Sequence, residues 1–240
     1  ASTAAWTLEA WVRPDAIPNG WSPLLGQQDA LDSATNRNNI WLSSGEIVLI
    51  FSSSLNSPTG VFLSESRWTH IAWVMSTTNS TELYVDGTLA WTGSLPRVTS
   101  GPFFTVGGSR QGGTGQPSFD GQIDQVKVWG AALTSTQVAN SMHTHGSAFS
   151  GAPSASCTTG LRAHYDFNEF VTGTVIDRSG CGKNLAFNVA ASGGSFAESD
   201  FKSSGIVETS TAHSLQTSLK FNRTYSVSYT HLRAHETVLD

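Results

Sequence analysis

The chain has 240 residues, 38% hydrophobic and 13% charged, with 13 Lys and Arg against 18 Asp and Glu for a net charge of −5. That length and apolar share support one large domain, or a domain and part of another. With no basic run, nucleic acid and anionic membrane surfaces are excluded as partners, and no apolar stretch approaches the roughly 20 residues of a membrane-spanning helix.

The eight Trp and twelve Phe, scarce Lys and abundant Ser, Thr, Gly and Asn match the balance of secreted β-sandwiches. The N-terminus carries no signal-peptide pattern, so the chain is expected either to have lost a signal or to begin inside a longer protein.

Residues Trp6 to Arg13 alternate apolar and polar and stop at Pro14-Asp15, which predicts a first strand bounded by a turn. Trp21 to Gln27 follows as a short strand. A polar loop, Asp29 to Asn39, then leads to Ile40 to Leu42, which Ser43-Ser44-Gly45 turns into Glu46 to Phe51. Ser52 to Gly60 reads as loop and Val61 to Leu63 as a short strand. Trp68 to Met75 is apolar on both parities, which predicts a strand covered on both faces at mid-sheet. Beyond a polar loop, Thr81 to Val85 and Thr88 to Trp91 flank Asp86-Gly87, residues suited to the positive φ of a two-residue hairpin. Phe103 to Val106 is a further strand, and the Gly-rich stretch Ser109 to Phe119 leads to Asp120 to Trp129. There, strict alternation would place Asp124 on the face of Val126 and Val128. Thr134-Ser135-Thr136-Gln137 has the form of a capping box and predicts a short helix through Met142. Gly/Pro-containing residues 147–160 read as a linker. Leu161 to Asn168 alternates as a half-buried strand, the Gly/Asp-rich loop Asp177 to Asn184 precedes Leu185 to Phe187, and Thr224 to Tyr229 is a last strand. Many short strands without helical periodicity predict an all-β, antiparallel two-sheet jelly-roll sandwich.

Four segments carry a closer resemblance: WTLEAWVRPD; WTHIAWV with TELYVDGTLAWTG; FTVGG with FDGQIDQVKVWGAALTSTQV; and LRAHYDFNE with VIDRSGCGKN. Together they resemble the laminin-G-like, pentraxin-like branch of the concanavalin-A-like jelly rolls found in bacterial secreted and surface proteins. In that family the LRAHYDFNE-type strand and DRSG-type loop open a module, whereas here they follow its later part. The expected organisation is therefore a window from a tandem array. Residues 1–146 would be a module lacking its opening strands, 147–160 a linker, and 161–226 opening strands that either begin the next module or complete 1–146 as a circular permutant. The first of these pieces lacks strands that the second supplies, which favours closure, with Leu161 to Asn168 beside Gln122 to Trp129 and Thr224 to Tyr229 at an edge. Residues 227–240, ending SYTHLRAHETVLD, resemble translated sequencing-adapter read-through and are expected to carry no function.

Hard oxygen ligands from a Gly-rich loop and a strand carboxylate suit Ca²⁺, and the resemblance points the same way. Asp177, Gly180 through its carbonyl, and Asn184 would line one side of the ion and Asp124 the other; alternatively, Asp177 makes an Asx-turn and Asp124 is a hydrogen-bonded rim residue. Cys157 and Cys181 either form a disulfide, worth about 3 kcal/mol for a loop of this size, or are two buried thiols. His143 and His145 have no carboxylate or cysteine nearby in sequence, and His231 and His235 lie in the doubtful tail. Asn79-Ser80-Thr81 and Asn222-Arg223-Thr224 match the glycosylation sequon, which has no meaning in a bacterial protein. Sugar contacts are expected from the Asn36 to Asn39 run, Asn38 in particular, from Trp41, Trp91 and Trp129, and from Arg110, against the alternative that these aromatics are core.

The resemblance implies a non-catalytic, secreted or cell-surface recognition module that binds a glycan or an extracellular protein beside other modules of its parent chain. A glycoside hydrolase on the same fold needs paired carboxylates, about 5 to 5.5 Å apart for retention. Glu9 and Glu82 are isolated on their strands, and Asp120 and Asp124 would stand about 13 Å apart at 3.3 Å per residue. The third reading is an architectural spacer.

Overall fold

The strand Thr69–Met75 is buried at every position, the outcome that apolar residues on both parities require of a strand covered on two sides. Around it the chain, in a computed structural model, is described over residues 4–17, 19–28, 36–52, 55–96, 103–108, 119–144, 149–153, 156–168, 170–171, 174–189, 201–203, 217–221 and 227–230.

Its elements are β1 (Trp6–Pro14), β2 (Trp21–Gln28), β3 (Asn36–Ser43), β4 (Glu46–Ser52), β5 (Asn56–Phe62), β6 (Thr69–Met75), β7 (Ser80–Val85), β8 (Thr88–Ser94), β9 (Phe103–Val106), β10 (Gly121–Trp129), α1 (Ser135–Met142), β11 (Leu161–Tyr165), β12 (Phe170–Val171), β13 (Thr174–Val175), β14 (Leu185–Val189), β15 (Phe201–Ser203), β16 (Thr217–Phe221) and β17 (Val227–Thr230).

One sheet runs β15-β16-β10-β1-β6-β7-β8, with β11 also on β10; the second runs β5-β4-β3-β2-β9, and a small third runs β12-β13-β14-β17. Pairing is antiparallel in both large sheets. The inward faces of the two large sheets meet in one core, with Leu8, Val12, Ile71 and Trp73 from the first and Leu25, Ile40, Leu42 and Leu49 from the second. This is the predicted jelly-roll sandwich. Two tight hairpins turn where Asp86 and Gly87, and Ser44 and Gly45, take positive φ, which matches the right-handed twist of the strands they join.

Helix α1 lies against the outer face of the first sheet, where Val138 joins Val74, Trp129 and Leu133 in a separate cluster. Thr134 and Gln137 cap its N-terminus reciprocally as the sequence predicts. Cys157 and Cys181 are joined as a disulfide, with their Cα atoms 5.6 Å apart.

β11 pairs antiparallel with β10, Val126 opposite Tyr165 and Val128 opposite Ala163. Tyr165, Phe167, Val175 and Leu185 are buried in the same core as β1 and β6. β17 lies at the edge of the small sheet.

Three expectations are corrected. The polar Asn36 to Asn39 run is not loop but the first half of β3, held between β2 and β4. Asn56 to Gly60 is likewise the body of β5, an edge strand with an irregular register where Pro58 costs no ladder bond. Finally, the register of β1 on β10 slips between Glu9 and Trp11, where Gln125 takes φ 49°. That bulge breaks the alternation, so Asp124 pairs with Trp11 on the helix side and not with the core parity of Val126.

Candidate functional site

The outer face of the five-stranded sheet is assembled by register. Pro23, Trp41, Val48 and Pro58 lie in one row across β2, β3, β4 and β5. Trp21, Ser43, Glu46 and Phe62 form the next row, towards the β3–β4 turn. Trp41 is buried with Val48 and Ile50 in a small cluster of its own. Its neighbour Trp21 stands edge-on to it, ring centroids 6.0 Å apart, and remains 42% exposed. Asn39, further along this face, is buried with neither amide atom hydrogen-bonded, and its side chain occupies the space a Cβ on Gly26 would need.

The expected sugar-contacting residues do not share one surface. Trp41 lies on this face, whereas Asn38, its odd-spaced neighbour on β3, is buried on the opposite side of the strand. Trp91 belongs to β8 in the other sheet and packs against the main core. Arg110 lies outside the described residues, as do His145, His231, His235 and the Asn222 sequon. Trp21 and Phe62 were not singled out in the sequence because their common face follows from strand pairing, which one strand's pattern cannot give.

The Asp177 loop is organised by its carboxylate. Oδ1 accepts the N–H groups of His164 at 3.0 Å and Ser179 at 2.9 Å, and Oδ2 accepts the Lys183 N–H and the Ser179 hydroxyl, both at 2.9 Å. Four donors fill the roughly four lone-pair positions of a carboxylate. Asn184 Oδ1 is also engaged, accepting the Asp177 N–H at 2.9 Å. Gly180 takes φ 82° at the exposed tip. Asp124 differs: Oδ1 accepts the Gln125 N–H at 2.7 Å, but Oδ2 is buried without a partner. Burial drives its carboxyl well above the usual carboxylate range, with the Gln125 N–H opposing the shift and the charge of Asp166 adding to it.

The four expected ligands therefore do not fit a calcium site. Asp124 Oδ2 and the Gly180 carbonyl give at most two oxygens of the expected set, short of the six to eight that Ca²⁺ takes. No group of three or more His, Cys, Asp or Glu gathers for a metal among the described residues.

A second polar cluster lies under α1. Glu9 Oε1 accepts the indole N–H of Trp129 at 3.0 Å and the Ser141 hydroxyl, while Oε2 lies 3.3 Å from His70 Nε2. Lys127 donates to the Ser141 and Thr144 carbonyls at 2.6 and 2.7 Å, closing the C-terminal end of the helix where the dipole is negative. Burial would raise the Glu9 carboxyl, but Lys127, His70 and the Ser141 hydroxyl together hold it down to about 2. These groups are sealed from solvent and fasten α1 to the sheet.

Residues 1–139 match the laminin G-like family described as the concanavalin A-like lectin/glucanases superfamily. No curated protein sequence matches the chain. Among solved structures, a putative carbohydrate binding protein from Bacteroides ovatus superposes with TM-score 0.56 at 17% identity, covering 76% of this chain and 51% of that one. The chain thus spans about half of that protein, and at this identity the likeness shows the fold alone. A heptameric SAP-like pentraxin from Limulus polyphemus gives TM-score 0.47 and 18% identity over 57% of this chain and 70% of that one. Domain 4 of AbnA, a GH43 extracellular arabinanase from Geobacillus stearothermophilus in complex with arabinotriose, gives 0.46 and 20% over 57% and 66%.

Proposed function

Because the chain belongs to the concanavalin A-like lectin/glucanases superfamily, we propose that it is a non-catalytic module that recognises carbohydrate outside the cell. The observation that carries this reading is Trp21, an exposed indole held edge-on by the buried Trp41 on the outer face of a sheet. An aromatic ring fixed in this way offers a flat face of negative potential to the C–H face of a sugar at little entropic cost. The description of the Bacteroides ovatus protein of this fold as carbohydrate binding lends support.

Three carboxylates that are already buried or engaged lend support to recognition without catalysis. Glu9 is sealed under α1, Asp124 is buried, and Glu82 accepts the Tyr84 hydroxyl at 2.6 Å. An extracellular setting is supported by the Cys157–Cys181 disulfide, which persists in oxidising compartments. No helix among the described residues is long and apolar enough to cross a membrane. We further propose that residues 161–187 complete the module begun by 1–146, and that the Asp177 loop is closed by hydrogen bonds without an ion.

A glycan array tests the reading. Wild-type protein should bind a defined subset of glycans, with the same spots when a chelator is present, and Trp21→Ala should lose them. Binding to none, with a protein partner captured instead, would turn the assignment to protein recognition.

A further inference from the structure

Resting on that reading, the geometry points to a neutral, linear glycan of several sugar rings, laid across the strands between Trp21 and Phe62. These two residues end the row Trp21–Ser43–Glu46–Phe62, and cross-strand partners project to one face. Phe62 is turned outward because Val61, beside it, packs on the main core. It is 66% exposed, the largest exposure of any bulky apolar side chain among the described residues. Three inter-strand spacings separate Trp21 from Phe62, about 14 Å, a gap wider than one sugar ring. Between them stand a hydroxyl and a carboxylate, the groups that pair with sugar hydroxyls. Glu46 is positioned for this: its Oε1 already accepts the Gly60 N–H at 2.7 Å, which fixes the side chain while its second oxygen remains available to accept. The row thus alternates an aromatic platform, two polar groups and a second platform.

Charge decides between glycan classes. Glu46 is the one ionisable group in the row, and the whole chain carries −5. Uronate- or sialate-bearing polymers would meet the Glu46 carboxylate, and none of the four residues of this row is a cation that would offset it. A neutral chain is not repelled. Affinity should grow with ligand length until both aromatic ends are covered, and a single sugar should bind weakly.

The test uses the full chain with cello-, manno-, xylo- and arabino-oligosaccharides of one to six units, with polygalacturonate as the anionic comparison, and reads Kd by calorimetry. Wild-type affinity should rise with length in at least one neutral series and be absent for polygalacturonate. Trp21→Ala and Phe62→Ala should each weaken the longer ligands by about tenfold or more and remove the length dependence. Leu89→Ala, exposed on the other sheet, should do neither. Unchanged melting temperatures would show that all variants fold. Neutral binding that survives both aromatic substitutions would overturn this row while leaving carbohydrate recognition standing. No binding to any neutral series or to polygalacturonate would overturn both. Preference for polygalacturonate, or a dimer that both substitutions dissolve, would reassign the face to an anionic polymer or to a second copy.

Discussion

The Lys127 ammonium stands 3.7 Å from Glu9 Oε1 with both side chains shut off from solvent. Removing one member leaves the other charged and buried, which costs about 3–5 kcal/mol, far more than the pair contributes over an apolar replacement. Lys127→Met is therefore expected to lose that much in urea unfolding, and Glu9→Gln/Lys127→Met to regain part of it. A loss of about 0–1 kcal/mol, the range of exposed pairs, would show that Lys127 is solvated.

The same cluster sets an acid limit. Burial works to raise the Glu9 carboxyl, but its partners win and hold it at about 2 against an ordinary 4.5. In this window the unfolded chain binds the proton that the folded chain refuses. The stabilisation is complete above about pH 4.5 and is lost as pH falls towards 2. Melting temperature should drop over that interval in the wild type and drop less steeply in Glu9→Gln. Equal slopes would remove Glu9 from the account.

The proposed closure of the sandwich by residues 161–187 rests on Tyr165, buried in the shared core with its hydroxyl on the Lys183 carbonyl at 2.7 Å and its ring 6.4 Å from that of Phe104. Tyr165→Ala should cost about 3–5 kcal/mol, as aromatic truncations in cores do, and the whole protein should still melt in one transition. An early, separate transition confined to the C-terminal segment would show two independent half-modules.

Much of this fold is legible in the sequence where one local rule suffices. Thr69–Met75 is apolar on both parities, Asp86-Gly87 can hold positive φ, and Thr134 with Gln137 makes a capping box; each feature is found in place. What escapes is anything set by a partner strand. The four polar residues opening β3 give no strand signal, because their order comes from β2 and β4 on either side. The bulge at Gln125 moves Asp124 to the helix side, and no count of alternating residues reveals an inserted one. Trp21 and Phe62 are 41 residues apart and share a face only through three registers. At Asp177 the residue types suit a cation and an Asx-turn equally, and only the directions of four donors separate them.

Those donors predict the response to calcium. Millimolar Ca²⁺ or a chelator should leave the melting temperature unchanged. Asp177→Ala should destabilise regardless of Ca²⁺, since three N–H groups lose their acceptor at about 1–3 kcal/mol for each group left unpaired. Burial pushes the Asp124 carboxyl well above the usual carboxylate range, so the wild type should lose stability as pH rises through that raised value, and Asp124→Asn should flatten the loss. A Ca²⁺-dependent rise in melting temperature that Asp124→Asn abolishes would place an ion there.

Recognition without catalysis is tested most directly by incubating the protein with insoluble neutral polysaccharides and measuring, on the same samples, protein retained and reducing ends released. Retention that Trp21→Ala abolishes, with no reducing ends above the protein-free control, is the predicted result. Reducing ends that accumulate in proportion to protein and time would contradict it and make the chain a hydrolase.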